Sequence, residues 1–337
     1  MNKNNVWTGK NGPMLIAEIG GNHEGNFNYA KKLVKLAIST GVDVIKFQIY
    51  EGASLVSSVE SKKRFEHFKK FELAKKEHIE IAQICKKAKV KYLASVWDTD
   101  NLKWIDKYLP FYKIGSGDLT AYPIIKELCK RRKPIILSTG LSSLGEIKKT
   151  IKFIVNQNKF YKNSKNLALL QCTSSYPTPD EEVNLKVIHN LKDETKLPIG
   201  YSHHNNGDTA LTSAYILGAE ILEFHFTDTR FGKKFRDHKI SLTPEETQTL
   251  IKKIKRINLI LGKKEKLPTR SELKSNNIKT FRRAVYFKKD MKKGSIIREN
   301  DIVCLRPNKG IDARNYKKLI GKKIKKNMKA FTKIKFK

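Results

Sequence analysis

The chain has 337 residues, with 69 Lys and Arg against 33 Asp and Glu, a formal charge of +36 and 39% hydrophobic residues. That length points to one large and one small domain. With no apolar run near the ~18 residues of a membrane span and no h-region in MNKNNVWTGKNG, it is expected to be a cytoplasmic, membrane-free protein.

In chain order, residues 14–19 read as a strand ending in the turn Gly20-Gly21-Asn22-His23, and Asn28 is expected to cap a helix through Thr40. Residues 42–49 are a second strand carrying Lys46 and Gln48. A charged, loop-rich segment runs to about Lys76, and a helix follows over 77–88. Strand three covers 90–96, a short helix 101–108, and strand four 111–115. Pro123 opens the next helix, as proline does at a first turn. Strand five, 134–137, enters Ser138-Thr139-Gly140 ahead of a helix over 144–156. Strand six, 167–171, precedes Cys172-Thr173-Ser174-Ser175-Tyr176-Pro177 and a helix near 182–191. Strands seven (198–201) and eight (221–226) flank a helix over 208–219, and Thr243-Pro244-Glu245-Glu246 starts a last helix.

Eight strand–helix units in about 250 residues is the arithmetic of a (β/α)8 TIM barrel. A doubly wound open sheet is the alternative, but no GxGxxG follows the first strand. Residues 1–262 are therefore assigned to the barrel and 263–280 to a linker. Residues 281–337 form a small, mostly-β domain holding 20 Lys and Arg against 4 Asp and Glu. Elsewhere the basic residues spread along the chain, and lysine supplies 57 of the 69, whereas base reading favours arginine. Nucleic acid is accordingly not expected as a partner. The cysteines Cys85, Cys129, Cys172 and Cys304 form no CxxC pair and read as reduced thiols.

Barrel chemistry sits at the C-terminal ends of the strands. Those ends carry Glu18, Asn22 and His23; Lys46 and Gln48; Ser95 and Asp98; Lys113 and Ser116; Ser138 and Thr139; Ser174 and Tyr176; Ser202 and His204; Glu223 and His225. A lysine inside an apolar strand costs several kcal/mol unless it meets an anion or water. Lys46 and Lys113, with the serines, suit a phosphate or carboxylate. Strands seven and eight would bring His204 and His225 side by side, an imidazole pair suited to a divalent metal of the manganese-to-zinc range. A loop cap and a core histidine are the structural alternatives. Glu18 and Glu223 are candidate general bases, with a Glu18–Lys46 salt bridge as the competing role. Asp237 follows strand eight in a loop.

The runs IAEIGGNHEG (16–25), VIKFQ (44–48), YKIGSGD (112–118), ILSTG (136–140), QCTSSYPTP (171–179), GYSHH (200–204), ILEFHFT (221–227), RDHKISLTPEE (236–246) and LRPNKGI (305–311) together resemble the sialic acid synthase family. The resemblance implies condensation of phosphoenolpyruvate with an N-acetylated amino sugar, either N-acetylmannosamine or a 2,4-diacetamido-trideoxy-hexose. C3 of phosphoenolpyruvate attacks the open-chain aldehyde, water adds at C2, and phosphate leaves by C–O cleavage to give a nine-carbon 2-keto acid. It implies a divalent metal, Mn2+ with Mg2+ or Co2+ as alternatives, on His204 and His225. Lys46, Ser95, Lys113, Ser116, Ser138 and Ser174 correspond to the phosphoenolpyruvate cradle, and Glu18 to the acid near the reacting carbons. Tyr176, Glu223 and Asp237 match sugar-side positions. Arg306, in an antifreeze-like C-terminal (SAF) domain, matches an arginine that reaches the partner subunit's site in a domain-swapped homodimer. His203 departs from the family by replacing an aspartate. Another phosphoenolpyruvate-dependent aldol synthase and an inactive basic binding protein are the competing functions.

Overall fold

Eight parallel strands close on themselves in the larger of the two units into which the chain divides, residues 1–262. The structure is a computed structural model that describes residues 6–335. The strands are β1 (Gly12–Glu18), β2 (Val44–Ile49), β3 (Lys91–Val96), β4 (Tyr112–Ile114), β5 (Ile135–Ser138), β6 (Leu167–Cys172), β7 (Ile199–His203) and β8 (Ile221–His225). Each pairs with the next and β8 pairs with β1, so the barrel leaves no edge of its own. The connecting helices of the eight units are α1 (Phe27–Thr40), α2 (Lys75–Lys87), α3 (Leu102–Ile105), α4 (Tyr122–Lys130), α5 (Leu144–Gln157), α6 (Val187–Thr195), α7 (Thr209–Ile216) and α8 (Pro244–Leu261), with two further helices ahead of α2. This is the expected (β/α)8 barrel.

The two-residue period of a strand sorts its side chains between two buried layers. Outward residues such as Leu15, Ala17, Ile45, Phe47, Tyr201, Leu222 and Phe224 join the core between sheet and helices. Inward residues Met14, Ile16, Val44, Leu93, Phe111, Ile136, Ala168, Leu170 and Ile221 form a second, separate cluster inside the barrel. Continuing the inward set up each strand reaches Glu18, Lys46, Ser95, Lys113, Ser138, Cys172, Ser202 and Glu223. Burial alone therefore does not distinguish core from site here; strand parity and height do.

Several local readings need correction. Asn26, not Asn28, caps α1: its Oδ1 accepts from the Tyr29 backbone N–H at 3.0 Å. The segment expected to be loop-rich holds two helices, Gly52–Leu55 and Lys62–Phe71, because the flanking lysines mask the spacing of Phe65, Phe68 and Phe71. The helix expected near 182–191 starts at Val187, since Asp180–Glu182 turns as a 3-10 helix instead. A short antiparallel ribbon, Thr8–Gly9 against Gly12 and Pro13, precedes the barrel and was not foreseen. It delivers Trp7 into the inner cluster, edge-on to Phe111 at 5.7 Å. The buried Asp43 carboxylate fixes the ribbon by accepting from the Lys10 and Leu15 N–H groups at 2.8 and 2.9 Å.

The second unit, residues 263–337, begins with two short helices, Arg270–Lys274 and Asn277–Phe281, where an unstructured linker was expected. Strands β9 (Ala284–Phe287) and β10 (Ile302–Leu305) then pair antiparallel. Val285, Phe287, Met291, Ile297, Leu319, Ile324 and Ile334 make its small core. In both apolar pairs, 296–297 and 319–320, one residue is buried while its neighbour is exposed.

Candidate active site

A cleft of about 1410 Å3 opens over the C-terminal ends of the barrel strands. Its floor holds four buried ionic groups in two pairs. Lys46 Nζ lies 2.7 Å from Glu18 Oε2, and Lys113 Nζ lies 2.9 Å from Glu223 Oε1. The competing salt-bridge role expected for Glu18 is thus real, and Glu223 has an equivalent partner across the barrel. Gln48 Nε2 donates to the other Glu18 oxygen at 3.0 Å, and Ser202 Oγ donates to Glu223 Oε1 at 2.9 Å. Burial opposes the charge on Lys46, but Glu18 and Glu223 outweigh it and raise its pKa above the ordinary lysine value. Burial likewise pushes the Glu223 carboxyl up, and Lys113 with Lys46 pulls it well below the usual carboxylate range. Its Oε2 has no hydrogen-bond partner among the described residues.

Beside these pairs two serines, Ser116 and Ser174, converge on Gly140. The Gly140 N–H donates to Ser116 Oγ at 3.0 Å. A Cβ on Gly140 would stand 2.5 Å from Ser174 Oγ and 2.8 Å from Ser116 Oγ, so only glycine leaves this concavity open. Ser138 lines the same cleft with a buried Oγ that has no hydrogen-bond partner among the described residues, and Ser95 faces it from β3. Hydroxyls and ammonium groups around one space have the chemistry to hold an anion.

His204 and His225 also meet, with ring centroids 5.5 Å apart. The Thr173 carbonyl accepts from His204 Nδ1 at 2.8 Å, which fixes the tautomer and leaves Nε2 as the lone-pair donor. His225 Nδ1 is buried without a hydrogen bond, 3.8 Å from the Asp237 carboxylate. Among the described residues no group of three or more His, Cys, Asp or Glu could hold a metal ion. Two imidazoles fit a borderline divalent ion whose other ligands are substrate or water oxygens. Tyr176 tilts over His204 at 4.1 Å, and the Arg236 guanidinium covers the Tyr176 ring at 4.5 Å while Arg236 Nε donates to Asp237 at 3.0 Å.

Of the polar residues that the sequence places at the strand ends, all line this cleft except Asn22, His23, Asp98 and Thr139, and Asp237 lines it too. Arg306 belongs to the second unit, where its guanidinium lies over the Phe281 ring at 5.7 Å. His203, adjacent to His204, does not line the cleft. Strand parity turns it outward, edge-on to Tyr201 at 5.9 Å, fully buried and with neither ring nitrogen hydrogen-bonded among the described residues. Burial, then the neighbouring His204 and His225, lowers its pKa to about 3. The sequence reading placed Ser202 at a strand end without giving it a role, and it left out Cys172 as a site residue. Cys172 Sγ lies 3.7 Å from His204 Nδ1 and accepts from Ser116 Oγ at 3.6 Å. It also left out the helix Lys62–Phe71 on the cleft wall.

Comparison with known proteins agrees with this geometry. The chain is 36% identical to the N,N'-diacetyllegionaminic acid synthase of Campylobacter jejuni, over 94% of this chain and 97% of that protein. It is 30% identical to human N-acetylneuraminate-9-phosphate synthase, over 94% and 90%. The crystal structure of an N-acetylneuraminic acid synthetase from Leptospira borgpetersenii, in complex with citrate, superposes with a TM-score of 0.73 at 30% identity, covering 82% of this chain and 95% of that one. Residues 282–332 match the SAF domain, and residues 33–266 match the NeuB family. With those residues spanning more than half of its length, the chain belongs to the NeuB family.

Proposed function

We propose that this protein is a nonulosonic acid synthase that joins phosphoenolpyruvate to the aldehyde carbon of an N-acylated hexose and releases phosphate. The observation that carries the proposal is the pair of buried lysines, Lys46 and Lys113, each held by a carboxylate beside the Ser116–Ser138–Ser174 cradle. Buried cations next to the hydroxyls of the cleft suit a ligand with two anionic ends, because the desolvation is already compensated within the fold. The relatives' names, synthases of legionaminic and neuraminic acids, support the same product class.

In this reading Lys46 and Lys113 bind the carboxylate and phosphate of phosphoenolpyruvate together with Ser95, Ser116, Ser138 and Ser174. Glu18, held by Lys46 and Gln48, is placed to move a proton at the reacting carbons. Tyr176, Glu223 and Asp237 orient the sugar. His204 and His225 would hold a divalent cation, Mn2+ first among the alternatives, which supplies a Lewis acid for a carbonyl oxygen. The new C–C bond joins C3 of phosphoenolpyruvate to the aldehyde carbon, water adds at C2, and the C2–O bond to phosphate breaks. Arg306 would complete the site from a second copy of the chain in a homodimer.

The test is phosphate release by the full chain with phosphoenolpyruvate and N-acetylmannosamine or a 2,4-diacetamido-trideoxy-hexose, with and without Mn2+. Release is expected only with both substrates present and is lost on chelation. No release with any of these hexoses in the presence of Mn2+ overturns the proposal.

A further inference from the structure

Arg236 opens a 3-10 helix, Arg236–Ile240, in the segment after β8, and its side chain is 66% exposed. Both of its contacts nevertheless belong to the site. Arg236 Nε donates to Oδ1 of the buried Asp237 at 3.0 Å, and the guanidinium lies over the Tyr176 ring, 4.5 Å from its centroid. Tyr176 stands in the loop after β6. One side chain thus ties together the loops of two non-adjacent strands, and the strand between them, β7, is the one that delivers His204.

The two side chains that Arg236 holds press on the imidazole pair. Tyr176 tilts over His204 at 4.1 Å and stands edge-on to His225 at 6.1 Å. Asp237 Oδ2 lies 3.8 Å from His225 Nδ1. A carboxylate can turn either oxygen toward a neighbour; the bond from Nε to Oδ1 selects the rotamer that gives Oδ2 to His225. A guanidinium can serve both contacts at once, because its edge carries the donors while its face stacks on a ring, and an ammonium has no such face. An exposed ion pair by itself contributes little to stability. What Arg236 supplies is geometry.

We infer that Arg236 is a positioning residue, which acts through Tyr176 and Asp237 by holding both side chains against His204 and His225. The inference rests on the reading above in which Tyr176 and Asp237 orient the sugar. Its effect on turnover therefore falls on the sugar and spares phosphoenolpyruvate. Loss of one cation–π contact and one charge-assisted hydrogen bond, with the misplacement that follows, sets an expected loss of roughly 10- to 100-fold.

The experiment measures phosphate release by the full chain with Mn2+, phosphoenolpyruvate and whichever of the hexoses named above is turned over. Arg236→Ala is expected to lower kcat/KM for the sugar by roughly 10- to 100-fold, with KM for phosphoenolpyruvate unmoved. Arg236→Lys keeps the charge without the plane and should recover only part of the loss; full recovery would reduce the residue to a bare charge and overturn the positioning role. In a Tyr176→Leu background Arg236→Ala should cost clearly less than it does alone, and fully additive losses overturn the inference. Amide hydrogen exchange of the substrate-free chain reads the same tie without turnover. In Arg236→Ala, residues 173–178 should exchange roughly tenfold faster while α5 is unchanged. Unchanged exchange at 173–178 overturns the inference whatever the activity shows. No phosphate release by the unaltered chain overturns the reaction instead, and exchange then decides on Arg236 alone.

Discussion

At the N-terminal end of the barrel interior, Trp7, Met14, Val44, Phe111 and Ile221 fill the space with apolar side chains. Two to four residues further along the same strands stand Glu18, Lys46, Lys113 and Glu223. The side chains at both ends are buried, but they do different things for the fold. Apolar burial contributes net stability, whereas a buried ion pair gives back most of its attraction as desolvation. The comparison teaches that the lower end and the outer layer stabilise the barrel, while the upper end is kept for binding.

Lys113→Met breaks the upper end most sharply. Phosphate release should fall by about 10^2–10^3-fold or more. Stability should also fall, by about 3–5 kcal/mol, because Glu223 is left charged and buried without its main partner. Adding Glu223→Gln should restore much of the stability in urea titrations and none of the activity. Full recovery of activity in the double variant would show that the pair is structural.

Trp7→Ala tests the lower end. A cost of about 3–5 kcal/mol is expected for truncating a buried tryptophan, with activity per folded molecule unchanged. Altered KM for phosphoenolpyruvate would mean that the two ends are coupled.

A third perturbation uses pH and touches neither end. His78 is buried in the outer layer, with Nδ1 3.0 Å from the Tyr92 hydroxyl, and burial lowers its pKa to about 3. An unfolded histidine takes up its proton near pH 6.5. Between those values the unfolded chain binds a proton that the folded chain refuses, so stability falls as pH drops through the window. From pH 7 to 5 this amounts to about 2 kcal/mol. His78→Leu should shrink the difference between urea melts at pH 7 and pH 5 by that amount; an unchanged difference would exclude His78 as its source. The smallest expected effect is Thr243→Ala, which removes the cap that accepts from Glu246 N–H at the start of α8 and costs about 1 kcal/mol by thermal melt.

The barrel and the gathering of these side chains on its floor were legible because both follow from strand parity. Once Lys46, Lys113, Glu223 and His225 are placed at strand ends, closure brings them together. The partner of Lys46 was legible too, since Glu18 is next to it in the register, but Glu223 reaches Lys113 across the barrel, a relation no linear spacing encodes. His203 shows the reverse difficulty. It attracted notice as the neighbour of His204, yet one residue along a strand means the opposite face. The helix Lys62–Phe71 escaped because lysines and an exposed environment hide its apolar face, and a face turned toward a cleft has no core partner to betray it.

That helix has a consequence for how the enzyme can change. Strand residues of the barrel answer to two layers at once, so altering one disturbs packing on both sides of the sheet. Arg64, His67, Phe68 and Phe71 answer to no core: the contacts of the three rings are with Phe235, Trp97, Tyr50 and one another, so altering one loosens that cluster and leaves both layers of the barrel as they are. Sequence can therefore change at these four positions at the expense of one local cluster. Variants confined to them reshape one side of the cleft over a barrel that stays folded.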